Sequence, residues 1–197
     1  SASLGNEIWL KREDQQPVKS FKLRGAYNKI CQLSDEQLAK GLVASSAGNH
    51  AQGVAYSAKK KGVKATIVMP ATAPDIKVEA VRNFGGECVD VVLHGTSFEQ
   101  AKEEALRLSK KYGYTMVAPF DDEDVIVGQG TIARELLEQN PDLDTLFIAV
   151  GGGGLIAGIS VFLKQLKPEL KIIAVESDES ACLQAAMLAG KPVPLEH

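Results

Sequence analysis

The sequence predicts an α/β protein: parallel sheets with helices on both faces, a three-layer α/β/α arrangement. Three observations carry this. Short apolar runs alternate with helical stretches of about three turns, the pattern of strands joined by crossover helices. Neither internal repeats nor low-complexity tracts interrupt the alternation. Small, glycine-rich turns stand where strands feed helices, and parallel sheets bind ligands at those carboxyl ends.

The elements follow in order. IWLKRE (8–13) reads as a first strand, and SFKLRGAYNKI opens a helix over 21–33. GLVAS (41–45) is a strand leading through small residues into a helix at 49–61. KATIVMP (64–70) and a helix at 75–84 follow, then ECVDVVL (87–93) and a helix at 97–112. On the latter, EEALRLSKK is a solvated face with i,i+4 pairs such as Glu103–Arg107. YTMVAP (114–119) leads to the acidic run Asp121, Asp122, Glu123, Asp124, a helix-start charge cluster without calcium-loop spacing. A helix at 125–139, DTLFIAV (144–150), a helix at 155–166, KIIAVES (171–177) and a helix at 180–188 complete the pattern. Both ends read as incomplete, since a parallel sheet cut after a crossover helix leaves a raw edge. A fragment is expected, and the closing LEH (195–197) is either native or the start of an expression tag.

Composition narrows the function classes. With 197 residues, 45% hydrophobic and 24% charged, the chain can bury a sizeable core in one domain or two small ones. A net charge of −3 gives no footprint for nucleic acid or an anionic membrane, and no apolar run approaches a membrane span. Neither partner is expected. Cys31, Cys88 and Cys182 are odd in number and widely spaced, so neither a zinc knuckle nor a disulfide framework is supported. They read as small buried hydrophobes in a reducing compartment, the cytoplasm or an organelle of similar redox state.

The turns carry the chemistry. In LFIAVGGGGLIAG, Gly151, Gly152, Gly153 and Gly154 lie between a strand and a helix. Successive N–H groups there form an anion cup, and a phosphate is the natural guest. A mere tight turn needs one or two glycines. The dinucleotide fingerprint is not met in its usual place, and no GK[ST] follows. In VASSAGNHAQG, Ser45, Ser46, Ala47, Gly48 and Asn49 offer N–H groups for a carboxylate, with Ser46 or Asn49 also a candidate helix cap. Asn49 adds a neutral donor. His50 reads as packing or capping locally rather than as a catalytic base, because no nucleophile elbow accompanies it. Lys22 on its own would be a solvated lysine at a helix start.

A phosphate cup, a carboxylate-sized turn, an asparagine and a lysine, with no metal cluster and no acid–base pair, suit a cofactor that brings its own electronics. Pyridoxal 5′-phosphate has a phosphate for the glycines, an aldehyde for a lysine and a ring oxygen for an amide donor. Lys22 is then the lysine that condenses with the aldehyde.

SFKLRGA, SSAGNHAQG and VGGGGLIAG, in this order, resemble the fold-type II pyridoxal-phosphate enzymes. Within them they look like the threonine dehydratase (threonine ammonia-lyase) and serine racemase branch. KREDQQPVKSFKLRGAY, IVMPATAPDIKVEAVRNFGGE and IAVESDESACL look most like its biosynthetic dehydratases, so the resemblance covers nearly the whole chain. It implies that Lys22 binds the cofactor and is the base at Cα, that Phe21 packs beside the pyridine ring, and that Asn49 donates to the ring's 3-oxygen. It also implies that Ser46, Ala47, Gly48, Asn49 and His50 hold the substrate carboxylate, and that Gly151 to Gly154 with the Leu155 N–H cup the phosphate. Racemases of the branch carry a serine where Ala47 stands, so elimination is expected over racemisation. They also bind a cation through a glutamate matched by Glu176 and an acid six residues on. Cys182 holds that second position, so no such cation site is expected. The segment that meets the pyridine nitrogen in the family lies beyond this chain's end.

The activity implied is dehydration and deamination of L-threonine to 2-oxobutanoate and ammonia in isoleucine biosynthesis, with L-serine to pyruvate as a side activity. Another fold-type II enzyme, such as threonine synthase or serine racemase, is the alternative within the family. A non-catalytic anion- or nucleotide-binding α/β domain is the alternative outside it. Residues 24–120 are expected to form a small α/β domain. Residues 1–23 and 121–197 are expected to form part of a larger cofactor domain, with the site in the cleft between. The full-length protein is expected to be a homo-oligomer, and the 197 residues alone weakly active or inactive.

Overall fold

The computed structural model describes residues 5–193, so Leu195, Glu196 and His197 lie outside the described residues. Among the described residues, six strands form two parallel sheets. The first contains β1 (Leu42–Ser45), β2 (Ala65–Met69), β3 (Val89–Leu93) and β4 (Thr115–Met116) in the order β3-β2-β1-β4. The second pairs β5 (Thr145–Ala149) with β6 (Lys171–Val175). Eight α-helices among the described residues join and cover them: α1 (Lys22–Gln32), α2 (Asp35–Lys40), α3 (Asn49–Lys61), α4 (Asp75–Gly85), α5 (Phe98–Tyr112), α6 (Glu123–Gln139), α7 (Gly154–Leu166) and α8 (Cys182–Ala189).

Alternation along the strands sorts the first sheet's core into two layers. Leu42, Ala44, Ala65, Ile67 and Met69 meet α1, α3 and α4 on one face. Val43 and Val68 meet Ala101, Ala105 and Leu108 of α5 on the other. In the second sheet, Ile148 packs against Ile132 and Ala133 of α6 and Ile159 and Leu163 of α7. The registered pair Phe147 and Ile173 lies on its opposite face and is exposed, so among the described residues only one face is covered.

The seams between α1, α6 and α7 are unusually close. A Cβ at Gly128 would lie 2.6 Å from Gly25 Cα and 2.6 Å from the Arg24 carbonyl. One at Gly158 would lie 2.2 Å from the Ile126 carbonyl. These helices approach to backbone contact, where no larger residue fits.

Several expectations change. Residues 8–13 form no strand; a 3₁₀ turn at Glu13–Gln15 stands there, and Ile8, Trp9 and Leu10 are exposed with no strand beside them among the described residues. The short helix α2 was not anticipated, although Ser34 and Gln37 form a capping box, a sequence-readable start signal. The cysteines are not buried: Cys31 and Cys182 are exposed and Cys88 is half-buried. On α1 it is the neighbouring Ile30 that faces the core. Arg107 pairs with Glu104 at i,i+3 rather than with Glu103. The acidic run does start a helix: Asp122 caps α6 by accepting the Val125 N–H, with Glu123 and Asp124 in the first turn.

Gly158→Ala should lower the urea unfolding midpoint, with a loss of about 1–3 kcal/mol from forced separation of α6 and α7. An unchanged midpoint would show that the seam yields freely.

Candidate active site

Lys22 is the first residue of α1. The chain reaches it through a turn in which Lys19 adopts φ +59°, the one positive φ outside glycine among the described residues, with its N–H on the Gln16 carbonyl at 2.8 Å. No side chain caps α1. The Lys22 Nζ turns inward and donates to the Pro119 carbonyl at 2.6 Å. The rings of Phe21 and Phe120 flank it at 5.4 and 6.0 Å. Burial pushes the Lys22 ammonium below its ordinary pKa, which favours the neutral, nucleophilic amine.

The glycine turn leaves β5 and enters α7. Gly153 takes φ +81° and no side chain caps the helix, so its first N–H groups are free of side-chain acceptors. Gly152 and Gly154 are required by Phe120: a Cβ at Gly152 would lie 2.3 Å from its ring, and one at Gly154 would lie 2.7 Å from its carbonyl. Around Gly151 and Gly153 there is open space. Leu155 packs in the same cluster as Phe21, which ties the glycine turn to the lysine segment.

The third component is the turn from β1 into α3. Gly48 is the N-cap, and no side chain caps the helix, so neither Ser46 nor Asn49 plays the capping role considered for them. The Ser46 hydroxyl instead accepts the Gly48 N–H at 3.2 Å, and the Ser46 N–H donates to Val68 at 3.2 Å. The N–H groups of Ala47, Asn49 and His50 remain for a guest among the described residues. Asn49 opens α3, and its side chain is exposed. One turn later a Cβ on Gly53 would lie 3.1 Å from the Lys22 carbonyl, so α3 passes directly against the base of the lysine.

His50 sits beneath this turn, 3% exposed, with Nε2 2.8 Å from the Val117 carbonyl. A carbonyl only accepts, so Nε2 carries the proton. Nδ1 has no partner among the described residues. Burial, opposed by the Val117 hydrogen bond and reinforced by the Lys22 charge, pushes the His50 pKa down to about 4.

Lys22, Phe21, the glycine turn and the start of α3 thus converge on the ends of β1, β4 and β5. Pro119 and Phe120, which join them, were not among the residues singled out from sequence. Their position at a strand-to-helix exit was the available signal, but neither residue type carries chemistry of its own. Glu176 is committed elsewhere: its carboxylate accepts the Leu183 and Gln184 N–H groups at 2.9 and 3.0 Å, at the start of α8. Among the described residues, no three His, Cys, Asp or Glu side chains are grouped to hold a metal ion. No described helix is long and apolar enough to cross a membrane.

A pH dependence follows. Unfolded His50 titrates near 6.5 and folded His50 near about 4, so on acidification the unfolded state takes the proton first. Stability is complete above that window and falls by on the order of 3 kcal/mol through it. Glu135, held at about 2 by its Arg24 hydrogen bond against an ordinary 4.5, adds a lower window with the same sign. Urea midpoints measured from pH 7 to pH 4 should decline, and His50→Gln should remove most of that decline. A flat wild-type profile would contradict the buried neutral imidazole.

A family model described as pyridoxal-phosphate dependent enzyme matches residues 1–197. The L-threonine dehydratase biosynthetic IlvA of Haemophilus influenzae is 59% identical over 197 residues, 100% of this chain and 38% of that protein. The solved structure of the processed form of threonine deaminase isoform 2 from Solanum lycopersicum matches with a TM-score of 0.96 and 50% identity, covering 100% of this chain and 53% of that one. Maize serine racemase matches with a TM-score of 0.93 and 38% identity, covering 98% and 58%. The chain therefore spans 38% of the length of that curated dehydratase. Matched from end to end by the family model, the chain belongs to the pyridoxal-phosphate dependent enzyme family and has its fold-type II α/β architecture.

Proposed function

We propose that this chain forms part of a pyridoxal-phosphate-dependent lyase that dehydrates and deaminates L-threonine to 2-oxobutanoate and ammonia, with L-serine to pyruvate as a side activity. The observation that carries this reading is Lys22, a half-buried amine with lowered pKa beside two aromatic rings, joined through Phe120 to a glycine turn. The 59% identity to a biosynthetic threonine dehydratase supports the choice of substrate.

The residues present fit the cofactor. Gly151 and Gly153 face open space, and α7 presents an uncapped N-terminus, as a phosphate requires. Gly151 to Gly154 and the Leu155 N–H would receive that phosphate. Asn49 would donate to the ring oxygen, and Phe21 would pack beside the ring. Bound there, pyridoxal phosphate supplies an electron-withdrawing ring that acidifies the substrate Cα–H. The N–H groups of Ala47, Asn49 and His50, framed by Ser46 and Gly48, would orient the substrate carboxylate. Lys22 Nζ, its pKa lowered by partial burial, would in its neutral form take the Cα proton. Ala47 has no proton to deliver from the opposite side, which favours elimination over the racemisation named for the maize relative.

The same reading assigns residues 24–120 to a small domain, and 1–23 with 121–197 to a larger cofactor domain. The protein would work in the cytoplasm, in isoleucine and branched-chain amino-acid biosynthesis, as a homo-oligomer.

Borohydride reduction of the cofactor-loaded natural protein should fix the cofactor on Lys22, read by peptide mass spectrometry. Label on Lys19 would overturn the assignment. Lys22→Ala should lower 2-oxobutanoate production by at least about 10²–10⁴-fold, the range lost with a general base. Residues 1–197 expressed alone should turn over threonine far more slowly than the natural protein. Equal rates would show that the catalytic unit is smaller than proposed.

A further inference from the structure

Beyond β4 the chain continues as a short strap, residues 117–120. The Val117 N–H still donates to the Val43 carbonyl at 2.9 Å, extending the ladder with β1 by one residue. In a parallel ladder the N–H and carbonyl of one residue face the same neighbour, and residues two apart repeat that direction. The carbonyl of Val117 therefore faces the end of β1, and the chain bends at Pro119 and Phe120. That strand finishes at Ser45, and side chains take over as donors. His50 takes the Val117 carbonyl at 2.8 Å, and Lys22 takes the Pro119 carbonyl at 2.6 Å. Pro119 has no N–H, so the strap demands no further acceptor there. Its next residue, Phe120, seats its ring over Gly152.

We infer that His50 is a positioning residue for Lys22: by anchoring the strap at Val117 it fixes the carbonyl that holds the lysine nitrogen. This rests on the role proposed above for Lys22. A lysine stem has four rotatable carbons, and a fixed acceptor at its tip restricts where the nitrogen can lie. A neutral amine that donates one N–H to Pro119 keeps its lone pair free to meet a carbon elsewhere. The imidazole suits the anchoring task. Its Nε2 proton is committed to Val117, its Nδ1 is sealed from solvent, and neither nitrogen is open to a substrate. Being neutral, it also places no second positive charge beside Lys22. An apolar side chain would fill the same space but leave the Val117 carbonyl without its donor, and the strap free to shift.

The test separates the lysine's approach from simple binding. The natural full-length protein, stripped of cofactor, is mixed with pyridoxal phosphate, and the visible band of its linkage to lysine is followed in time. Affinity for pyridoxine 5′-phosphate, which has the phosphate and ring but no aldehyde, is measured in parallel. His50→Leu should slow the band by about tenfold or more, while the pyridoxine phosphate Kd stays within about twofold. His50→Gln, whose amide can still donate to Val117, should restore most of the rate. Loading of His50→Leu at the wild-type rate would overturn the inference. So would an equal loss of rate and affinity, or slowing that His50→Gln fails to rescue. Wild-type protein that binds pyridoxine phosphate but develops no band would instead remove the proposed role of Lys22, and this inference with it.

Discussion

One guanidinium holds the segments that carry the site together. Arg24, two residues past Lys22, forks onto Glu13 at 2.8 and 2.8 Å and onto Glu135 at 2.6 and 2.9 Å. Its side chain is 12% exposed, so the charge would be costly without both carboxylates. Glu13 belongs to the leading segment and Glu135 to α6, and Lys11 also reaches Glu135. The fork therefore fixes how far along α6 the helix α1 sits and how it is rotated. Lower on the seam the Gln129 side chain accepts the Gly25 N–H, Asn28 donates to the Asp124 carbonyl, and Lys29 pairs with Asp122 and Asp124. Any sliding of α1 would break several of these at once.

That constraint explains how residues far apart in sequence arrive at one place. On its other side α1 shares a core with α3, where Ala26 and Ile30 meet Ala51, Val54 and Ala55. Through α6, which packs on α7 at Gly130 and Gly158, the same helix is referred to the glycine turn. The lysine, the asparagine turn and the glycine cup thus share one helix as a common reference, in addition to the contacts that link them directly.

Much of this was legible in the sequence because it rests on side-chain pattern. Alternating apolar runs located six of the strands, and seven predicted helices correspond to seven of those observed. The glycine run and the SSAGNH turn advertised themselves through residue types that few other roles require. What escaped had no such signature. IWLKRE is apolar enough for a strand, but strand formation needs a neighbouring backbone, which no local window contains. The cysteines were judged by residue type, whereas their exposure depends on which face of α1 or α8 each occupies. The strap at 117–120 acts through two carbonyls, and a carbonyl is the same in every residue. Only the three-dimensional end of β1 distinguishes Val117 and Pro119.

Trp9 is the single tryptophan in the chain, and it stands two-thirds exposed in the leading segment, just ahead of Lys11. Its emission is therefore that of a solvated indole even in the folded state. Unfolding of either sheet would change it little. Only the covered third of the residue could respond, and it would respond to detachment of the leading segment, which Lys11 and Glu13 close by tie to α6 and α1. Fluorescence and far-ultraviolet dichroism would accordingly follow different events in this molecule, and a disagreement between them would not by itself reveal a folding intermediate.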